Sequence, residues 1–529
     1  MTVEVLLGDE AVALGAIHAG ISGAFSYPGT PATEIFEYVE RQARAGLEVY
    51  ARWSPNEKVA YEEALGMSWT GKRAIVSMKH VGLNVAADAF VNSALTGVGG
   101  GLVVVVADDP GMHSSQNEQD TRALAAFAQV PCLEPRDQQE AYAMMAEGLD
   151  LSERLDVPVV VRIVTRLAHS RAPVQVRETP RAPNPLRPAG AMSKWTLLPA
   201  IARQRYHRLV ELTPELQRWS ATRSGNELTL RGRRLGVLAA GLASNYLTEN
   251  LTPDHDLSIL HVGSYPPPVE KIRALTTHVD RLLVLEEGYP HLEDHLLGLL
   301  GPRPGLEVLG RRSGHVPRTG ELTPDLVRAA LAEEPWPALH EALTDLPGRP
   351  PMLCQGCPHI DLYQTLNLAM ADYPGSQVFS DIGCYTLGAL PPLLAIHSCV
   401  CMGASIGMAL GAAEAGASPV VAVIGDSTFA HAGIPALLSA AKADVPLTLI
   451  IVDNDYVAMT GGQQTMLTGE RLDRLVLGLG VPEAHFRVIT PLKKNQEDNL
   501  RVLREEIAHP GLSVVVSRRV CIQKKAPAA

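Results

Sequence analysis

The sequence predicts a multidomain α/β protein built on doubly wound, mostly parallel sheets. The chain has 529 residues, more than one hydrophobic core supports, so about two to four domains are expected. Its composition is 46% hydrophobic and 5% aromatic with 45 glycines, which suits closely packed α/β layers better than a disulfide scaffold or an unfolded chain. Short apolar runs bounded by Gly, Pro or Asp alternate with helix-compatible stretches, as in sheets covered by helices on both faces.

Taken in order, strands are expected at Ala24–Tyr27, Arg73–Met78, Leu102–Ala107 and Val157–Ile163, with helices at Asn56–Gly71 and Gln138–Leu155. These define a first domain over residues 1–175. Pro173, Pro180, Pro183, Pro185 and Pro188 then break the pattern, and residues 176–232 read as a connection. Strands at Arg234–Ala240, Leu257–Val262 and Arg281–Glu286 mark a smaller domain, residues 233–348. Strands at Val378–Ser380, Val420–Ile424, Leu447–Val452 and Leu512–Ser517 mark a third, residues 349–529.

The formal charge of −11 and the lack of a dense basic run apart from Arg231 to Arg234 and Lys524-Lys525 argue against nucleic-acid binding. Neither a secretory leader nor an apolar stretch of about 18 residues is present, so a cytoplasmic protein is expected. Seven cysteines are too few and too unevenly spaced for a disulfide framework, which turns attention to metal or cluster ligation.

The run Val420 to Ile424 reads as a buried parallel strand, with Gly425-Asp426-Ser427 at its carboxyl end, where open α/β sheets place ligands. A second strand, Leu447 to Val452, ends in Asp453-Asn454. A lone Gly-Asp after a strand is usually a turn. Two neighbouring strand ends carrying Asp426 and Asn454 instead offer the hard oxygen donors that magnesium takes beside a diphosphate, and Gly425 allows close backbone approach.

This pattern, with Asp455-Tyr456-Val457-Ala458-Met459-Thr460-Gly461-Gly462-Gln463 following, resembles the thiamine diphosphate (ThDP) fingerprint of the 2-oxoacid:ferredoxin oxidoreductase superfamily, with Ser427 in place of the usual glycine. The chain also resembles the indolepyruvate ferredoxin oxidoreductase α subunits, and this likeness covers nearly the whole chain. It implies two ThDP-binding domains, of pyrimidine and pyrophosphate type, with the cofactor between them. A transketolase C-terminal-like domain carrying Leu285-Glu286-Glu287-Gly288 separates the two in sequence. It also implies that Asp426, Asn454 and the Tyr456 carbonyl bind Mg2+, with Gly425, Ser427, Met459 and Thr460 around the cofactor.

ThDP chemistry needs a carboxylate at the aminopyrimidine. Glu57 opens a helix after Trp53-Ser54-Pro55-Asn56; alone it would read as a carboxylate favoured by the helix dipole, but its context matches the activating glutamate of the superfamily. Tyr27-Pro28-Gly29-Thr30-Pro31 resembles the loop whose threonine meets substrate. Two further loops resemble those of the α subunits, Met78 to Asn84 and Asp108 to Asp120. From them and their flank come Lys79, His80, His113 and Arg122 as candidates for carboxylate binding or proton transfer, although polar loop residues are more often structural. Pyruvate-specific relatives carry a polar residue at the position of Met459. A thioether there suits an apolar or aromatic substrate, with ordinary core packing as the alternative.

Oxidative decarboxylation requires an electron acceptor. Cys354 and Cys357 form a Cys-x-x-Cys, joined by Cys384 and Cys521; four thiolates can ligate a [4Fe-4S] cluster, and zinc is the alternative. The set is similar to the proximal-cluster cysteines of related oxidoreductases, whereas Cys132, Cys399 and Cys401 lack that spacing. The α subunits of the family usually continue into a two-cluster ferredoxin domain, but no Cys-x-x-Cys-x-x-Cys-x-x-x-Cys run occurs here, so the resemblance leaves the external electron path and the acceptor open. The resemblance implies a small β subunit of the oxidoreductase γ-domain type, an α2β2 assembly, coenzyme A (CoA) as co-substrate and an external electron acceptor. The expected reaction is oxidative decarboxylation of an arylpyruvate to its acyl-CoA. A non-oxidative ThDP decarboxylase or carboligase is the rival.

Overall fold

The structure, a computed structural model, describes residues 2–187, 192–298, 301, 304–336 and 352–524. The chain divides into two compact units, Met1–Thr344 and Asp345–Ala529. The expected boundary at 348/349 lies outside the described residues.

In the first unit a seven-stranded sheet runs in the order Ser264–Tyr265, Cys132–Leu133, Val159–Val164, Leu102–Asp108, Ala74–Lys79, Gly23–Ser26, Tyr50–Trp53. All neighbours are parallel except the first pair. Its central strands are buried along their whole length, which is why they read as continuous Val and Ile runs. Each such side chain contributes about 1.5–3 kcal/mol of transfer free energy. The helices have local causes. Asp137 caps Gln138–Leu155 by accepting from Glu140 N at 2.8 Å, and the helix stops at Asp156 in the left-handed region, φ 55°.

A five-stranded sheet in the same unit runs Glu307–Leu309, Arg281–Leu285, Leu235–Ala240, Ser258–Val262, Leu228–Thr229, parallel but for the last strand. Ser264–Tyr265 comes from this segment yet adds an antiparallel edge to the larger sheet, so the two sheets share one unit. Within the stretch expected to connect domains lies a 24-residue helix, Pro199–Thr222. Thr2–Leu7 and Arg171–Val176 form a separate antiparallel pair.

The second unit holds a five-stranded parallel sheet, ordered Gln377–Ser380, Val420–Gly425, Leu447–Asp453, Leu512–Arg518, Phe486–Ile489. Alternate residues enter opposite cores: Ala422, Ile424, Leu449 and Ile451 join one cluster, while Val421, Val423, Ile450 and Val452 join the other. That period of two, with apolar residues on both faces, is the signature of a doubly wound sheet. Among the described residues no helix is long and apolar enough to cross a membrane.

Candidate active site

In the second unit, Val420–Gly425 and Leu447–Asp453 lie side by side, with Gly425 opposite Val452. This brings Asp426 and Asn454 together. Asp426 is buried, and its carboxylate accepts from Asn454 N (3.1 Å), Asp455 N (2.8 Å) and Ser427 N (2.6 Å). Burial first, and then the charge of Asp453, push its carboxyl up to about 7. A carboxylate this costly to ionise alone is suited to a bound dication. The Asn454 side-chain oxygen accepts from Tyr456 N at 3.0 Å. Carboxylate, amide oxygen and the Tyr456 carbonyl are all hard donors, so the residues fit magnesium with diphosphate oxygens. Gly425 is required by packing, since a Cβ there would lie 2.7 Å from the Tyr385 ring. Asp453 is turned to a structural task, held by Arg518 Nε (2.7 Å), Gly469 N (3.0 Å) and the Thr468 hydroxyl.

The segment after the metal ligands folds back on itself. Val457 N donates to Gln463 O at 2.9 Å, and the Thr460 hydroxyl donates to Gln463 Oε1 at 2.8 Å. Met459 sits on this turn, 57% exposed, so it is not core filler within this chain. Ser427 is partly buried beside Asp426.

The four expected cysteines also lie in this unit. Cys384 is pushed up to about 12, first by burial and then by the neighbouring thiols of Cys357, Cys521 and Cys354. Gln523 bridges two of them, donating through its side chain to Cys354 Sγ (3.5 Å) and through its main chain to Cys521 Sγ (3.4 Å). Cys357 Sγ is 3.1 Å from His359 Nδ1. Four such thiolates can ligate either a [4Fe-4S] cluster or a zinc ion. Asp381, which the sequence reading missed, is buried between Tyr385 and Ser405 and pushed up to about 6 by burial. Its place after the strand Gln377–Ser380 was the available signal.

In the first unit, Lys79 ends a parallel strand, and Thr30, Glu57, His80 and Asp109 follow the carboxyl ends of parallel strands. Asn56 caps the helix that Glu57 opens, accepting from Val59 N at 2.9 Å. Glu57 is buried, and Gly82 makes room for it: a Cβ on Gly82 would lie 2.6 Å from Glu57 Cγ. Lys79 Nζ donates to Ser114 O at 3.0 Å, and Ser114 Oγ reaches Thr30 O at 3.5 Å. Burial lowers Lys79 to about 8. It also lowers His80 to about 4, helped by the Lys79 charge. His80 Nε2 lies 3.3 Å from Ser115 Oγ, and Ser115 in turn donates to Asp109 Oδ2 at 2.6 Å. Thr30, Lys79 and His80 therefore belong to one polar cluster.

Two candidates stand elsewhere. His113 lies on the surface, 3.3 Å from Glu321 Oε2. Arg122 must be corrected from substrate ligand to buried structural cation. Its side chain is fully buried, and it donates to Asp120 Oδ1 (2.9 Å), Glu286 Oε2 (2.8 Å), the Tyr265 hydroxyl (3.1 Å), Glu287 O and Tyr289 O (3.0 Å each). No donor direction remains for a substrate carboxylate. Arg162, alone within the strand Val159–Val164, has a like role beside Asp108 and Glu134; a charged residue in an otherwise apolar strand was its signal.

Residues 14–207 match the profile of the pyruvate flavodoxin/ferredoxin oxidoreductase ThDP-binding domain. Residues 381–516 match that of the C-terminal ThDP-binding domain of thiamine pyrophosphate enzymes. The chain is 36% identical to the indolepyruvate oxidoreductase subunit IorA of Archaeoglobus fulgidus, over 98% of this chain and 86% of the relative. The chain belongs to the IorA family. The IorA subunit of Methanothermobacter thermautotrophicus is similarly close, at 37% identity over 98% of this chain and 86% of its own. IorA membership places the chain among ThDP-dependent 2-oxoacid oxidoreductases. The fold resembles a solved 2-oxoglutarate:ferredoxin oxidoreductase from Magnetococcus marinus, with a TM-score of 0.50 at 17% identity, over 63% of this chain and 65% of that one.

Proposed function

We propose that the chain is the large subunit of an enzyme that oxidatively decarboxylates an arylpyruvate with CoA, giving the acyl-CoA and CO2 and passing two electrons out through a [4Fe-4S] cluster. The observation that carries this is the joining of two sites in one unit: Cys521 N donates to the carbonyl of Asn454 at 3.0 Å. The relatives are named as subunits of indolepyruvate oxidoreductase, which supports the aromatic substrate and a partner subunit; that partner is proposed to be a small β subunit in an α2β2 assembly.

ThDP, when bound, supplies the nucleophilic carbon and the electron sink for decarboxylation. Asp426, Asn454 and the Tyr456 carbonyl would hold its magnesium, with Gly425, Ser427 and Thr460 around the diphosphate. Glu57 holds a proton at the aminopyrimidine. Thr30 orients the oxo acid, with Lys79 and His80 behind it, His80 being neutral near pH 7. Met459 presents an apolar face to the aromatic side chain. Cys354, Cys357, Cys384 and Cys521 hold the cluster, and an external carrier removes the electrons.

Anaerobically purified chain and partner should reduce a viologen dye only with an arylpyruvate and CoA together, and should contain iron and sulfide in equal amount. Aldehyde release without dye reduction, from protein lacking iron, would establish the non-oxidative rival instead.

A further inference from the structure

Asp9 stands in the first turn of the helix Gly8–His18 and is completely buried. No N–H or alcohol O–H group donates to either of its carboxylate oxygens, and the side chain it meets is the Glu34 carboxyl. A buried anionic group left so is strongly disfavoured unless a charge or proton meets it. Two side chains from other helices face it: Glu34, in the first turn of Thr33–Arg44, and His169, the last residue of Thr165–His169. One ligand atom of each lies within 4.8 Å of the others, and His169 Nε2 is 3.8 Å from Glu34 Oε2.

The packing that brings them together is tight. Gly8 N donates to Ser170 O at 3.2 Å, and a Cβ on Gly8 would lie 2.2 Å from Leu167 O. Asp9 forms the closed floor of the cluster, while Glu34 and His169 are partly exposed, with side chains 38% and 37% accessible. An ion can therefore enter from solvent and lose its water at Asp9.

We propose that Asp9, Glu34 and His169 bind a transition-metal dication, with Zn2+ the best fit. Carboxylate oxygen and imidazole nitrogen are both zinc ligands, and three of them leave a fourth tetrahedral position for water. The imidazole favours such an ion over magnesium. The dication balances the two carboxylates, with His169 neutral, and satisfies the oxygens of Asp9. Glu34 lies four residues beyond Thr30, so the ion also pins the start of the helix that follows the Tyr27–Pro31 loop.

The test titrates the full-length chain, saturated with Mg2+ and ThDP, with Zn2+ in a calorimeter, comparing wild type with His169→Gln and Asp9→Asn. Zinc taken up by the cysteines is common to all three. Wild type should bind one more equivalent than either variant, and Zn2+ should raise the Tm of wild type by several degrees but not that of His169→Gln. His169 is partly exposed, so His169→Gln keeps the comparison open if Asp9→Asn does not fold. Equal stoichiometry and equal Tm in wild type and His169→Gln would overturn the site and leave Asp9 and Glu34 sharing a proton.

Discussion

The main-chain N–H of Cys521 donates to the main-chain carbonyl of Asn454 at 3.0 Å. A candidate cluster ligand and a candidate magnesium ligand are thereby held by one hydrogen bond, although 67 residues of sequence separate them. Lys524, three residues on, pairs with Asp455 and reinforces the same junction.

Cys521→Ser should therefore separate the two sites by function. It removes a thiolate while keeping the backbone bond, so ThDP retention should stay near wild type. Iron and sulfide content and dye reduction should fall by about tenfold or more, as expected when a ligand is lost. Metal analysis beside ThDP quantitation checks this.

Asp426→Ala should have the complementary outcome. Loss of the central carboxylate should cut ThDP and magnesium retention, and turnover with them, by about 100-fold or more. The iron content should be unchanged.

Gly82→Ala tests the packing behind Glu57. The added methyl would lie 2.6 Å from Glu57 Cγ, so the carboxylate must shift. A displacement of about 1 Å at a reacting group can cost roughly 100-fold in rate. kcat should fall steeply while ThDP retention and Tm change little.

Arg122→Ala should act on stability. It strands Asp120 and Glu286 without their buried partner, and breaking such a pair from one side costs about 3–5 kcal/mol. Denaturant unfolding should show that loss. In Arg122→Lys, which keeps a cation, the KM for the oxo acid should stay within about twofold of wild type, because no substrate contact is removed.

Acid should act against the first unit through its buried histidines. Burial lowers His80 and His261 from 6.5 to about 4, so between those values the unfolded chain binds more protons than the folded one. The stability is fully present above about pH 6.5 and is lost as pH falls towards 4, on the order of 3 kcal/mol for His80. Burial also raises Glu287 to about 7, which favours the folded chain in acid, so the check is differential: between pH 7 and pH 5 the unfolding midpoint of wild type should fall relative to that of His80→Gln.

The sequence by itself determined the strands and what stands at their ends. The expected runs Leu102–Ala107, Val420–Ile424 and Leu447–Val452 each form within one residue of the observed strands, because apolar periodicity is written in adjacent side chains. Asp426, Asn454 and Thr30 stand out for the same reason, as polar residues at the carboxyl ends of such runs, whereas Glu57 is singled out by the helix entry Ser54-Pro55-Asn56 and by the resemblance of its context, the strand Tyr50–Trp53 before it not being expected. Tertiary structure alone decided the rest. Arg122 read as a substrate ligand until Glu286, 164 positions away, took its charge. Gly82 gained meaning only against Glu57, and Asp9 only against Glu34 and His169. Each of these depends on which distant groups share a buried, low-dielectric space, and that is settled only when the chain has packed.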